Sequence, residues 1–395
     1  MVTHETIPAT TALSMTFEQL SMYLGGKGRA QACWELYRLG VDPLWYYNSN
    51  NDQNEQEYNH DGLGTGWTRK QLQTTLKAST MGADAIQRLA QLFTCSTTTL
   101  THVSRSTDKT TKLLLRLQDG LQVETVIIPS KDRCTLCISS QVGCRQGCVF
   151  CATGRMGILR SLTCDEILSQ VVWANQACRL LEGLTEVDNV VFMGMGEPAD
   201  NASEVVRAAH QLVDRNLFAI SAKRITISTV APTPQAFYEL AQAPVVLAWS
   251  VHASMDSVRK KLVPTTKYTM DELREGLLVA LDGRSRSLKS TMLEIALLEG
   301  INDNEHDALH LAEFCQPLIA AVPKLVVNLI PWNNIGATSG WATEFKQPSL
   351  ERILAFQQVL TKHGVLCRIR MTRGDEEGSA CGQLATKVTK SKQSN

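Results

Sequence analysis

Between Ile167 and Met371 the chain repeats one rhythm, a short apolar run, a polar loop and then a segment with helical spacing. The apolar runs Asn189–Met193, Arg224–Ser228, Val245–Val251, Thr291–Ala296, Leu325–Ile330 and Val365–Met371 have the length and β-branched content of buried strands. Helical patterns lie between them. Thr163-Cys-Asp-Glu166 opens the helical stretch Ile167–Leu181, and Thr269-Met-Asp-Glu272 opens Leu273–Leu281. In both, a hydroxyl at the cap and a carboxylate three residues later satisfy each other's free backbone N–H groups. Strands alternating with helices predict a parallel sheet with right-handed crossovers. With about six such units the economical architecture is a partial (β/α)6 barrel of the α/β class, whose chemistry collects where the strands end.

Upstream the rhythm differs. Residues 17–45 read as one or two amphipathic helices, with Leu20, Tyr23 and Leu24 and then Trp34, Leu36 and Leu39 at helical spacing. A polar tract near 48–65, rich in Asn, Gln, Glu and Gly, reads as a disordered insertion, and 68–93 as a further helical stretch. Lys112–Leu117, the turn signal Asp119-Gly120 and Gln122–Ile128 predict a β-hairpin. The expected organisation is a helical accessory module (1–100), a β-hairpin extension (101–130), a catalytic barrel (131–386) and a flexible Lys-containing tail (387–395).

Composition changes this picture little. The 395 residues suffice for one large domain with a full core, and 39 basic residues balance 39 acidic ones. A neutral total does not exclude RNA, because local basic patches bind without a basic whole. No apolar run reaches membrane-spanning length, and the first twenty residues lack Lys and Arg, so no membrane partner or targeting segment is expected. The cysteines do change it. Five of the twelve fall between Cys134 and Cys151, unlike the even spacing of a secreted disulfide scaffold, which points to a reducing, cytoplasmic compartment.

Cys144-Arg-Gln-Gly-Cys148-Val-Phe-Cys151 places three thiols on one short loop bent by Gly143 and Gly147. Structural iron–sulfur clusters take four cysteines, so three leave one iron of a [4Fe–4S] cluster open for another ligand. A rival reading pairs Cys134-Thr-Leu-Cys137 with Cys148-Val-Phe-Cys151 as a zinc ribbon in a structural or nucleic-acid module. That reading leaves Cys144, Glu197 and Cys381 unused.

Further motifs follow in order: Leu136-Cys137-Ile-Ser-Ser-Gln-Val-Gly-Cys144, Asn189 through Met-Gly-Met-Gly196-Glu197-Pro198, Ile227-Ser228-Thr229, Trp249-Ser250-Val251-His252, Asn328 through Trp-Asn333, and Ser379-Ala-Cys381-Gly-Gln-Leu384. Together with the three-cysteine loop they resemble the RlmN/Cfr family of radical S-adenosylmethionine (SAM) RNA methyltransferases, over a span from about Phe17 to Leu384. The resemblance implies a radical-SAM barrel with a [4Fe–4S] cluster on Cys144, Cys148 and Cys151. It implies SAM, two molecules per turnover, held by Gly196, Glu197, Ser228, Ser250, Val251, His252 and Asn333. It makes Cys381 the methyl-cysteine carrier, Cys137 the thiol that resolves the protein–RNA adduct, and Glu124 the proton acceptor. The implied reaction is methylation of adenosine C2 in ribosomal RNA, with transfer RNA as a second substrate, through a 5′-deoxyadenosyl radical. The alternatives are methylation at C8 or a paralogue with another RNA target. A low-potential electron donor such as flavodoxin or ferredoxin is the implied protein partner of a monomeric enzyme.

The residues support parts of this on their own. Adenine C2 is electron-poor, so transfer from an electrophilic sulfonium fails and one-electron chemistry avoids the mismatch. Gly194 and Gly196 would let backbone approach a cofactor closely. Gly378-Ser-Ala-Cys381-Gly382 has little bulk and could swing a thiol between two partners. Glu124 among Val123, Val126 and Ile127 is either a base with a raised pKa or a solvent-facing strand residue. Taken singly, His252 is equally a core histidine, Asn333 a turn residue, and Cys137 and Cys381 ordinary buried thiols. Arg368 and Arg370 on one strand face, with Arg155, Arg160, Lys260, Lys261, Lys267 and Arg373 near barrel-end loops, are candidate phosphate contacts or a solvated charged face.

Overall fold

The computed structural model describes residues 11–48, 72, 76, 81–92, 97–336 and 343–386. Both the polar tract near 48–65 and the tail 387–395 lie outside the described residues apart from Asn48, as does the first half of the helical stretch expected over 68–93 apart from residues 72 and 76.

After a 3-10 turn at Ala12–Ser14 the described chain forms α1 (Phe17–Leu24), α2 (Lys27–Arg38) and α3 (Pro43–Asn48), followed by α4 (Ala83–Leu92). The break after α1 is chemical: Gly25 closes it at φ 75°, a left-handed cap that glycine adopts without a side-chain clash. Strands β1 (Thr98–Arg105), β2 (Thr111–Leu117), β3 (Gln122–Ser130) and β4 (Arg133–Cys137) form an antiparallel run. A small ribbon of β5 (Gln141–Cys144) and β6 (Gly157–Ser161) flanks the short helix α5 (Ala152–Met156). Then come α6 (Cys164–Leu180), β7 (Asn189–Phe192), α7 (Ala202–Val213), β8 (Ile225–Thr229), α8 (Gln235–Leu240), β9 (Val246–Ser250), α9 (Asp256–Leu262) and α10 (Met270–Asp282). The described chain continues with β10 (Thr291–Leu297), α11 (Glu305–Ala321), β11 (Leu325–Pro331), α12 (Leu350–Lys362) and β12 (Cys367–Ile369).

Ten strands join in the order β1-β2-β3-β4-β7-β8-β9-β10-β11-β12. From β4 onward every pairing is parallel, so the partial barrel holds seven parallel strands rather than six. The additional member is β4. Its sequence Arg-Cys-Thr-Leu-Cys is short and half polar, and its parallel partner lies more than fifty residues downstream. The hairpin forms at Asp119-Gly120 as its sequence predicts, but β3 pairs with β4. It is therefore one wing of the barrel's own sheet and not a separate extension. The sheet stays open among the described residues, with β1 and β12 at its edges.

Both predicted capping boxes are present, at Thr163/Glu166 and Thr269/Glu272, each worth about 1 kcal/mol in fixing where a crossover helix begins. The helices pack on the sheet through a continuous core. Trp249 on β9 is fully buried between Phe237 of α8 (5.5 Å) and Phe314 of α11 (5.7 Å). On the opposite, concave side the register sets Ser250 beside Glu294, Glu294 beside Asn328, and Asn328 beside Arg368. A row of polar residues thus crosses four adjacent strands on the face turned away from the helices.

Candidate active site

The concave face lines an open cleft whose floor is the three-cysteine loop. The chain reaches that loop through Gly143, whose φ of 77° admits no ordinary side chain: a Cβ there would stand 1.9 Å from the Gly157 carbonyl oxygen. Cys144 ends β5, the turn passes Gly147 at φ 62°, and the Cys151 N–H donates to the Cys148 carbonyl at 3.1 Å. Cys151 then caps α5, where Gly154 lies so close that a Cβ would fall 2.9 Å from the Cys148 backbone. All three thiols line the cleft. Burial pushes Cys144 up to about 12 and raises Cys148 and Cys151 as well. Three neutral thiols on one dry wall suit a group that brings its own positive charge and displaces their protons.

The zinc-ribbon alternative fails on direction. Cys134 and Cys137 point to opposite sides of β4, Cys134 into the main core with its Sγ 3.9 Å from the Cys178 Sγ, Cys137 into the cleft. Among the described residues no group of three or more His, Cys, Asp or Glu side chains converges as ligands of one ion. A cubane spreads its sulfur ligands over separate corners and requires no such convergence.

Above the loop, Glu197 is 2% exposed. Its carboxylate accepts from the N–H groups of Ala199 and Val230, each at 2.9 Å, while its own N–H donates to Gln141 Oε1 at 3.0 Å. Burial raises it to about 7 against those hydrogen bonds. Ser228 and Ser250, at the ends of β8 and β9, share a hydrogen bond of 3.0 Å. His252 has φ 57°, a left-handed conformation rare for a side-chain-bearing residue. Its Nδ1 accepts the Ala296 N–H at 3.1 Å, which puts the ring proton on Nε2, and its ring lies 4.6 Å from that of Phe150. Burial and the Arg259 charge hold it neutral. It is both a satisfied buried histidine and a wall of the cleft.

Two expectations change here, and a third gains a second reason. The glycines of Met-Gly-Met-Gly-Glu line the cleft and are also required by the protein itself: a Cβ on Gly194 would meet Ile138 and Ser139 at 2.8 Å, and one on Gly196 (φ 101°) would meet Gln141 at 2.6 Å. They let β7 close on the segment after β4. Val251 is buried behind the wall rather than on it, its carbonyl accepting from Arg259 at 2.7 Å. Asn333 also stands back from the cleft; its Nδ2 donates to the Cys381 carbonyl at 3.0 Å and its Oδ1 accepts from Thr372.

Cys137 and Cys381 face the same cleft, from β4 and from the segment after β12. Burial pushes Cys137 up to about 12 and Cys381 up to about 11, with the Arg370 guanidinium opposing both. Cys381 is an exposed residue at the rim, yet its segment is not free to swing in this conformation. Gly382 O accepts from Ala152 N at 2.7 Å, Ala380 N donates to Gln383 Oε1 at 2.9 Å, Gln383 Nε2 donates to Asn334 O at 2.8 Å, and Leu384 O accepts from Thr153. The strap also meets Glu124, whose Oε2 accepts the Ala385 N–H at 2.9 Å. Glu124 is buried, not solvent-facing, and burial raises its pKa; but it pairs with Lys112 at 3.0 Å and stands behind the strap, off the cleft wall.

The basic residues divide. Arg370 is drawn inward to Glu294, 3.5 Å away, and lines the cleft while Arg368 is exposed. Arg160 is engaged by Asp119 and Glu166, and Arg373 by Asp108. Lys260, Lys261 and Lys267 remain exposed. Glu294 was not singled out by the sequence reading. Its signal is a lone carboxylate inside the apolar strand Thr291–Leu297, and in the fold it is 3% exposed, holding Asn328 at 2.8 Å and Arg370.

The profile of the Radical SAM superfamily matches residues 138–312. A protein of Chloroflexus aurantiacus named "Probable dual-specificity RNA methyltransferase RlmN" is 40% identical over 283 residues, 70% of this chain and 73% of that protein. The "Dual-specificity RNA methyltransferase RlmN" of Desulfotalea psychrophila is 40% identical over 293 residues, 73% of this chain and 77% of that one. Among solved structures, a radical SAM methyltransferase from Sphaerobacter thermophilus superposes with a TM-score of 0.75 at 31% identity, covering 95% of this chain and 99% of that one.

Proposed function

Because the chain belongs to the RlmN-like family of radical SAM RNA methyltransferases, we propose that it methylates C2 of an adenosine in RNA through a methyl group carried on Cys381. The observation that carries this reading is the convergence of Cys137, Cys381 and the Cys144–Cys148–Cys151 loop on one cleft.

Cys144, Cys148 and Cys151 are the residues that would hold a [4Fe–4S] cluster, which when bound supplies the electron for reductive cleavage of SAM. Glu197, Ser228, Ser250 and His252 would hold SAM beside it. Neutral His252 adds no positive charge against the sulfonium, and the apolar wall of Phe150 keeps water from a reactive carbon. Cys381 would carry the methyl carbon and Cys137 would release the product by forming a disulfide with Cys381. Both thiols start protonated, and Arg370 is the cation near each that favours the thiolate when its turn comes. Glu124, behind the strap, would take the proton lost from the base and become neutral, and Lys112 would favour its return to the carboxylate for another cycle. The target base would leave its stack to enter the cleft. Ribosomal RNA is the proposed substrate and transfer RNA a second, in keeping with the dual specificity in the relatives' names.

The test is a pair of variants purified from cells. Cys137→Ala is expected to carry RNA covalently after ribonuclease digestion, while Cys381→Ala and the double variant carry none. Mass spectrometry of nucleosides from cells lacking and regaining the gene is expected to show 2-methyladenosine lost and restored. RNA-free protein in both single variants, with activity retained in Cys381→Ala, would overturn the methyl-cysteine route.

A further inference from the structure

One buried cation has so far entered only through its effect on His252 and its hold on the Val251 carbonyl. Arg259 on α9 is 1% exposed, and no carboxylate among the described residues pairs with it. Its Nη1 donates to the carbonyls of Ser250 and Val251, each at 2.7 Å, its Nη2 to that of Val230 at 2.5 Å, and its Nε has no hydrogen-bond partner. A fully buried arginine is ordinarily kept by an anion or by a task, since its charge is costly to desolvate. Three carbonyls fix its position but supply no net charge.

The surroundings say where that charge acts. Val230 and Ser250, whose carbonyls it holds, line the cleft. The same residue Val230 donates its N–H to Glu197, so the backbone of Val230 alone links the guanidinium to that carboxylate. The helix carrying Arg259 is also tied to the three-cysteine loop, through Val149 N to Leu262 O at 3.1 Å and, just beyond, Thr265 Oγ1 to Gln146 O at 3.0 Å. Burial lowers Arg259 to about 10, which leaves it charged at neutral pH. Cys148 and Glu197 are the ionisable groups near enough to favour its charge.

We infer that Arg259 is the internal counter-charge of the iron–sulfur centre, a fixed cation that favours the reduced state of a cluster held by Cys144, Cys148 and Cys151. The inference rests on the cluster reading of the previous subsection. Three thiolates already make the loaded loop anionic, and reduction adds one electron from an external donor with no proton to offset it. In a dry site a nearby positive charge stabilises the more negative state more strongly, so it shifts the equilibrium toward reduction. The carbonyl clamp keeps the charge at a set distance without neutralising it.

The experiment compares the native chain with Arg259→Gln and Arg259→Lys after anaerobic loading with iron and sulfide. The readout is the electron paramagnetic resonance signal of the reduced cluster against a potential set by redox dyes, without SAM or RNA. Arg259→Gln is expected to lower the one-electron reduction constant about tenfold, 59 mV for one electron, while Arg259→Lys stays within about threefold of native. Arg259→Lys breaks the three-carbonyl clamp but keeps the charge, so a purely structural role would move both variants together. Equal constants in all three chains, or a fall in Arg259→Lys as large as in Arg259→Gln, overturns the inference. Where the neutral variant does not retain iron, Arg259→Lys decides alone: an unchanged constant supports the assignment and a tenfold fall overturns it. A native chain that takes up no iron overturns the cluster reading itself, a distinct failure seen before any potential is measured.

Discussion

Gly196→Ala is the most informative single change at the site, because its effect divides into two parts that the structure sizes separately. At φ 101° an alanine is strained wherever it sits, which costs about 1–3 kcal/mol. The new Cβ would also lie 2.6 Å from Gln141 Cβ and 2.8 Å from the Gln141 backbone nitrogen, an overpacking worth a further 1–3 kcal/mol or so. Gln141 cannot yield easily, since its Oε1 holds the Glu197 N–H at 3.0 Å and its Nε2 holds Ser161 at 3.1 Å. The expected total is about 2–6 kcal/mol. Gly120→Ala at the hairpin tip is the control: φ is 83°, yet nothing lies within 4 Å of its Cβ, so only the strain remains, about 1–2 kcal/mol. Urea unfolding of the metal-free chains gives both values, and calorimetric titration of SAM into iron-loaded protein gives the functional effect. Gly196→Ala should bind SAM at least tenfold more weakly because Glu197 loses its brace, and Gly120→Ala should bind as the native chain does. Two variants equal within about 0.5 kcal/mol would refute the clash argument, and unchanged SAM affinity would separate Gly196 from the site.

Three further outcomes follow from the same geometry. Asp165, buried under Thr11 and Ser14, has its carboxyl raised from 3.8 to about 6 by burial, so the stability tied to its neutral form is full below pH 4 and lost as pH rises through 6. Asp165→Asn should remove that decline, on the order of 3 kcal/mol between pH 4 and pH 8 in denaturant midpoints, and parallel pH curves would refute it. Lys112→Met removes the cation opposing burial at Glu124 and should move the acid limb of the methylation pH profile upward; an unmoved limb would take Glu124 out of the proton path. Asn333→Ala deletes the hydrogen bond to the Cys381 carbonyl and should speed limited proteolysis within 374–386 severalfold while leaving iron content unchanged, and equal cleavage rates would count against its role in holding the strap.

The sequence was most legible where a local chemical rule acts alone. The capping boxes, the Asp119-Gly120 turn and the apolar strands from Asn189 onward follow from spacing over a few residues. β4 was not legible, because Arg-Cys-Thr-Leu-Cys becomes a strand only when β3 and the distant β7 flank it. The candidate site divides the same way. Cys144, Cys148 and Cys151 stand together in the sequence, and their loop converges in the fold. The inward turn of Arg370 depends on Glu294, and the retreat of Asn333 on the Cys381 carbonyl, partners too distant in the chain for any pattern to pair. The glycines before Glu197 were legible as close approaches, but what they approach is Ile138, Ser139 and Gln141.

The strap bearing Cys381 has a consequence for the order in which the molecule is built. Its anchors join residues synthesised far apart: Thr107 with Glu376, Lys112 with Gly378, Thr153 with Leu384 and Glu124 with Ala385. Closing loops of more than two hundred residues is among the slower events of folding, and domains assemble from the N-terminal side as they are made. A nascent chain therefore completes its wing strands and three-cysteine loop while Cys381 is still unmade. Residue 381 is the last of the cleft-lining thiols to arrive, so an interrupted chain would retain the three-cysteine loop and lack the thiol proposed to carry the methyl group.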